Sequence, residues 1–382
     1  MVDLEQTGSP GIGSGLGAVL RPAWRLPVLC LIVTLPAAGL DAVSQIRTEI
    51  QRVHESLKNQ PIKDPDTSSL SDAIQGQLKS ASVALEAGRL YLGLEELEQA
   101  VDLLHGARIV EEKKAGIEKG GMPAYEAEWK KASLALDEHE RLSHGRDWSH
   151  APAAIRALSE TSQGRAIPLL DGGRGFATAT QPRDGLFYLG QAQGEDEFAR
   201  FCATLRFAEK VNAETRRSLL RELQTLQQKT NAAFVPPRSI ELHPRFIALN
   251  ATLKLAQELD ASRSYSGALY QYLEAVRHYG MLSAIPPDGK GHAALKGAIA
   301  SMQNKLEVSG RDDSIAQLFL ERAASQVEHT GGPAPTADEL KSAQVIIDQV
   351  LPAYFDTLQP GSPLPQASGK MVEITLVRWP YT

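Results

Sequence analysis

The 382-residue chain is long enough for two ordinary domains or one elongated helical array, and 42% hydrophobic content is ample for a continuous core, which excludes disorder as the default. A net charge of -6 offers no long-range attraction to phosphates, so no nucleic-acid partner is expected without a local basic stripe. Two cysteines, Cys30 and Cys202, exclude a disulfide framework and a thiolate-rich metal site, both of which need several sulfurs.

Chain order begins with a targeting signal. Arg21 and Arg25 precede an uncharged apolar run over residues 26–35, followed by Pro36, Ala37, Ala38 and Gly39. A basic segment, a short apolar stretch and small residues before a cut after Gly39 define a secretory signal peptide over residues 1–39, so the mature chain is expected in the periplasm or outside the cell. The run falls short of the roughly 20 apolar residues of a membrane-spanning helix. Its alternative is an uncleaved membrane anchor over residues 26–46, which would have to include Asp41. A lipoprotein is excluded by local chemistry, because Leu29 precedes Cys30 in mid-run.

Beyond Gly39 the dominant pattern is apolar residues at i, i+3, i+4 and i+7 with Gly and Pro between runs, which reads as helices. They are predicted over residues 41–58, 69–92, 94–118, 123–143, 151–161, 185–193, 195–231, 243–259, 262–282, 291–307, 313–328 and 336–358. Ser69 to Asp72 offers capping side chains, and Thr336 with Glu339 has the spacing of a reciprocal capping box. Pro123 and Pro152 suit first-turn positions, where no amide donor is needed.

Three stretches break the pattern. Residues 168–182, with Asp171-Gly-Gly-Arg-Gly175, read as a loop carrying a short strand near Phe176 to Thr180, and residues 234–242 read as an extended connector. The tail, residues 359–382, is a Pro/Gly/Ser linker followed by the alternating Val372, Ile374 and Leu376, which predicts a C-terminal β-strand. That strand must pair with residues 175–180 or 239–242 of the same chain, or with another protein. The resulting regions are an N-terminal helical region at 40–165, a loop-rich helical middle at 166–242 and a C-terminal helical region at 243–358.

Two segments share a spacing of small and large residues: Gly88, Tyr91, Ala100, Leu104 and Ala107 within residues 81–112, and Ala256, Leu259, Ala268, Tyr272 and Ala275 within residues 249–282. This spacing resembles the tetratricopeptide repeat, a helix-turn-helix unit of about 34 residues in which small side chains let two antiparallel helices approach. The resemblance implies an all-α fold of helical hairpins stacked as a solenoid, the irregular bundle being the alternative. It also implies a binding face on the first helix of each unit: Ser82, Leu85, Arg89 and Leu92 in one, Asn250, Leu253, Gln257 and Asp260 in the other. Leu85 and Leu253 stand where carboxylate-gripping members carry polar residues, so an apolar or mixed peptide is the expected ligand.

Catalytic signatures are missing from the sequence. His139 and His144 are five apart where a helical zinc motif needs four, and lie some 140° apart around a helix. Asp171 to Gly175 could cradle an anion, but no Lys-Ser/Thr pair or strand-turn-helix context follows. Arg216, Arg217, Arg221 and Lys229 lie among acids and glutamines and read as a solvated face. The adjacent pair Glu95-Glu96 reads the same way, and Cys202 as a buried inert thiol. No metal and no cofactor are expected. The sequence therefore points to an exported, non-catalytic binding or scaffolding protein of the cell envelope that holds a peptide or protein partner. An exported hydrolase or a metal-assisted enzyme, centred on His139, His144, His150 and residues 171–175, is the alternative.

Overall fold

The computed structural model describes residues 40–143, 146–207, 216–236, 240–287, 289–328 and 334–358. The predicted signal segment, His144 and the predicted C-terminal strand lie outside them. Among the described residues all regular structure is helical: α1 Leu40–Asn59, α2 Leu70–Glu86, α3 Leu90–Ser143, α4 Ala153–Phe176, α5 Leu186–Thr204, α6 Leu220–Ala233, α7 His243–Ala261, α8 Tyr265–Met281, α9 Gly289–Glu307 and α10 Ser314–Glu328. Then α11, Ala337–Val345, runs through a π turn, Ile346–Val350, into α12, Leu351–Thr357. None of these helices is long and apolar enough to cross a membrane.

Periodicity explains most of this. In α1 the buried residues are Ala42, Val43, Ile46, Ile50, Val53 and Leu57, one stripe of a 3.6-residue period. The two helices expected over residues 94–118 and 123–143 are the two halves of α3. They are separated at Gly121, whose φ of 64° an L side chain adopts only with strain, and Pro123 follows. Thr336 and Glu339 form the expected capping box, Glu339 accepting from the Thr336 amide at 2.7 Å and donating its own amide to the Thr336 hydroxyl at 3.2 Å. Ser69, by contrast, makes no capping bond with its side chain.

Three expectations are corrected. Residues 168–176 are helix, the last turns of α4, and not a loop leading into a strand. Pro168 sits on the exposed side while Ala166, Leu170 and Gly173 continue the buried stripe across it, so packing overrides the breaker. The Asp171-Gly-Gly-Arg stretch is therefore no anion cradle. A side chain at Gly173 would meet the Gly185 carbonyl at 2.9 Å, and Arg174 lies over Trp129 at 4.5 Å and reaches Glu126 at 3.1 Å. Second, the helix expected over residues 195–231 divides. Its first part ends at Thr204, where Leu205 turns extended, and α6 begins at Leu220. Leu205, Phe207 and Leu219 in the connection are buried, which prolongs the apolar pattern without prolonging the helix.

The third correction concerns register. Hairpins α2–α3 and α7–α8 both form, but Gly88 is the turn residue that closes α2, at φ 76°, and its counterpart in the other turn is Arg263, at φ 66°. The chain leaves each helix through the same bond: Arg89 amide to Ala84 carbonyl at 2.8 Å, and Ser264 amide to Leu259 carbonyl at 2.9 Å. Gly88 is therefore not the partner of Ala100 in a helix contact, and it does not correspond to Ala256. The position matching buried Ala256 is buried Ala81, and the one matching Ala268 is Gly93, where a Cβ would stand 2.9 Å from the Leu85 side chain and 3.2 Å from the Ala81 carbonyl. Ala100, Ala256 and Ala268 are buried as expected.

Several helix starts are completed from elsewhere in the chain. Glu321 on α10 accepts from the amides of Tyr91 and Leu92 in the first turn of α3, both at 2.9 Å. Glu160 on α4 accepts from Gly267 at the start of α8 at 2.7 Å, and Asp312 from Ala153 at the start of α4 at 2.7 Å. Asp260 on α7 takes the Leu219 amide at the start of α6 at 2.7 Å. An acid at a helix N-terminus satisfies free amides and meets the positive end of the dipole, about 0.5–2 kcal/mol each. These bonds tie α3 to α10 and α8 to α4 across long stretches of sequence, and one apolar core runs from Ala42 to Tyr354. A second, smaller core joins the far half of α3 to the end of α4 and α5 around Tyr125, Leu170 and Leu186.

Candidate binding cavity

The hairpins α2–α3 and α7–α8, with α10, line a solvent-open cavity of about 780 Å³, to which α4 contributes Arg165 and α11 Glu339. Its floor is built from charged groups on two helices. On α3 Glu95 lines the cavity and Glu98, three residues on, lies behind it; on α8 Tyr270, Glu274 and Arg277 follow the i, i+4, i+7 spacing and share one helix face. From α10, Arg322 reaches between them and bonds both Glu95 and Glu274. The Tyr270 hydroxyl donates to Glu95 at 2.5 Å, and Arg277 donates to Glu274 at 2.9 Å. Behind this group Arg165 donates to Glu98 at 3.0 Å and to Glu195 of α5 at 3.2 Å, and Ser162 donates to Glu98 at 2.7 Å.

Burial and pairing set the protonation of these groups. Glu274 pays for burial but is held down to about 2 by the Arg277 and Arg322 guanidiniums. Arg322, whose charge burial opposes, stays well above its ordinary value because Glu274 and Glu95 face it. Around Arg165 the carboxyls outnumber the cation, so desolvation pushes Glu98 up to about 8 and Asp102 well up, with Glu195 adding repulsion in both cases. Glu96 is pushed up to about 7, by desolvation first and then by Glu95. His278 is lowered by burial and by Arg277, which leaves it neutral near pH 7.

The predicted binding residues divide. Arg89 and Leu92 do line the cavity, Arg89 bonded to Glu328 and Leu92 mostly buried. Asn250 instead meets Gln227 of α6 at 3.1 Å, Asp260 caps α6, and Gln257 is outside the cavity lining. Leu85 and Leu253, the expected apolar surface, are core residues. Tyr91 is partly buried against the main core, and burial beside Glu321 raises its hydroxyl well above the ordinary range. Tyr272 lines a second groove of about 530 Å³ with Arg217, Arg221 and Lys229, where Arg217 bonds Glu222 at 2.6 Å.

Glu95, Glu98, Tyr270, Gln271, Glu274 and Arg322 were missed, and the pair Glu95-Glu96 is not a solvated face: Glu95 is 8% exposed. The available signal was acids at helical spacing inside an apolar run, which marks a buried polar seam. Of the three histidines, His139 is buried and its Nδ1 pairs with Asp196, which also holds Arg200, while His150 is exposed. Among the described residues no three His, Cys, Asp or Glu side chains converge as metal ligands do. Cys202 is buried, and burial raises its thiol well above the ordinary range.

Comparison with protein-family models, with curated proteins and with solved structures finds no match to this chain.

Proposed function

We propose that this chain is an exported, non-catalytic binding protein of the cell envelope, which holds a peptide or protein partner over the cavity between its two hairpins. One observation carries the reading: a solvent-open cavity of about 780 Å³ whose polar walls come from seven separate helices and are held at their centre by ion pairs. A large preformed concavity with rigid polar groups is what a recognition site requires, because little ordering entropy is lost on binding. Export follows from the signal segment of residues 1–39. Of the two proposed arrangements we adopt the irregular bundle of hairpins, since α10 and α4 join elements that are remote in sequence, whereas a solenoid repeat touches its neighbours.

The test is capture from an envelope extract of the source organism on the immobilised full chain, with Arg89→Glu and Gln271→Ala chains run in parallel. A partner retained by the native chain and lost from both variants is expected. Equal recovery on all three chains would remove the cavity from the proposal. The enzyme reading has one observation in its favour, the Glu96 carboxyl poised at about 7 in the cavity wall. Turnover abolished by Glu96→Gln would establish it.

A further inference from the structure

The polar groups of the cavity wall sort into those already satisfied and those that are open. All four guanidiniums are taken: Arg322 by Glu95 and Glu274, Arg277 by Glu274, Arg165 by Glu98 and Glu195, and Arg89 by Glu328. An anionic ligand would therefore have to displace a carboxylate from its cation, giving up a charge-assisted bond for each one formed.

The open groups include acceptors. Glu96 stands in the wall without a hydrogen bond or ion pair to any described residue, and the Gln326 Oε1 is buried without a donor. Gln271, only 5% exposed, has a carboxamide that bonds no described residue and borders the cavity. A buried acceptor left unpaired costs about 1–3 kcal/mol, so the Gln326 Oε1 gains from a donated hydrogen bond, and Gln271 at the cavity border offers a second acceptor. Charge points the same way. Four carboxyls lie in the wall, Glu95, Glu96, Glu274 and Glu339, and two more, Glu195 and Glu328, are bonded to the wall arginines, against four guanidiniums; Glu98, which burial keeps largely protonated near pH 7, is not counted.

We infer that the cavity recognises a basic side chain of the partner, a guanidinium or a primary ammonium, with Glu96 as its counter-ion and the carboxamides of Gln271 and Gln326 accepting its hydrogen bonds. This rests on the binding function proposed above and supplies the chemistry of the bound group. A guanidinium suits the site best, because its five donors can pair with the Glu96 carboxylate in two bonds and leave others for a carboxamide. A neutral group of the same shape would leave Glu96 unpaired.

The experiment is calorimetric titration of the full chain at pH 8 with three short blocked peptides: acetyl-Ala-Arg-Ala-amide, its citrulline counterpart, which keeps the shape without the charge, and acetyl-Ala-Glu-Ala-amide. The arginine peptide is expected to bind at least about tenfold tighter than the citrulline peptide. Glu96→Gln should erase that preference, Gln271→Leu should weaken the arginine peptide about fivefold or more, and Asp356→Asn, on the second groove, should change neither. Preference for the glutamate peptide, or an arginine preference untouched by Glu96→Gln, overturns the charge assignment while leaving a binding cavity in place. If none of the peptides binds although envelope capture succeeds and depends on Arg89, the basic-group inference fails and the binding function stands. Failure of that capture counts against the function itself.

Discussion

Replacing Arg322 with Met removes the cation that lies on two buried carboxylates while keeping most of the volume. Glu274 would still have Arg277 at 2.9 Å, but Glu95, 8% exposed, would keep only the Tyr270 hydroxyl at 2.5 Å. Removing one member of a buried ion pair costs about 3–5 kcal/mol, because the remaining charge stays desolvated, and that is a large share of the roughly 5–15 kcal/mol that holds a typical domain folded. The loss should depend on pH in a definite direction. Glu274 is held at about 2 in the native chain against about 4.5 unfolded, so its stabilisation is present above 4.5 and fades as pH falls toward 2. The deficit of Arg322→Met should therefore be largest near pH 7.5 and smaller at pH 3, inside the window in which Glu274 loses its charge. Urea unfolding followed by circular dichroism at both pH values measures it. A deficit under about 1 kcal/mol at pH 7.5, or one of equal size at both, would refute the reasoning. Changing Glu95 to Met as well should recover part of the loss, since a buried apolar pair is often no worse than a buried ion pair.

Three further outcomes follow from the same interactions. Glu98 and Glu321, each raised to about 8, and Glu96, raised to about 7, hold protons in the folded chain that the unfolded chain releases near 4.5, so thermal stability should fall as pH rises from 5 to 8.5; a melting temperature that climbs across that range contradicts the assignment. Glu321→Gln keeps an acceptor for the Tyr91 and Leu92 amides and should cost under about 0.5 kcal/mol at pH 7, whereas Glu321→Leu should cost about 1–3 kcal/mol, which parallel chemical denaturation separates. Arg263→Gly should raise stability by about 0.5–1 kcal/mol, because Arg263 holds a φ of 66° that glycine adopts freely, and Gly88→Ala should lower it by about as much; a reversal of either sign in melting curves would show that the turns are not equivalent.

Helix existence was readable from the sequence because the buried stripes of α1, α2, α7 and α10 follow a 3.6-residue period that depends on nothing outside the helix. Boundaries and caps were less so. The acids that complete α3, α4 and α8 are Glu321, Asp312 and Glu160, none of them next in sequence to the helix it serves, so no local pattern announces them. Thr336 was legible because its partner Glu339 is three residues away. Pro168 misled in the other direction, since an exposed proline on a helix held by its opposite face is tolerated. Aligning Gly88 with Ala256 treated both as small residues, although one is small for its backbone angle and the other for the neighbour it touches. The cavity stayed hidden for a related reason: Glu95, Glu274 and Arg322 look like ordinary surface charges until three helices bring them together.

The borrowed cap of α3 also has a meaning in time. Glu321 lies 230 residues beyond Tyr91, so at a synthesis rate of about 5–20 residues per second the opening turn of α3 waits roughly 10–50 s, with water as its substitute partner, before the carboxyl group that will hold it has been made. The first hairpin emerges from the ribosome as a provisional structure, and it is the arrival of α10 that converts it into a permanent one.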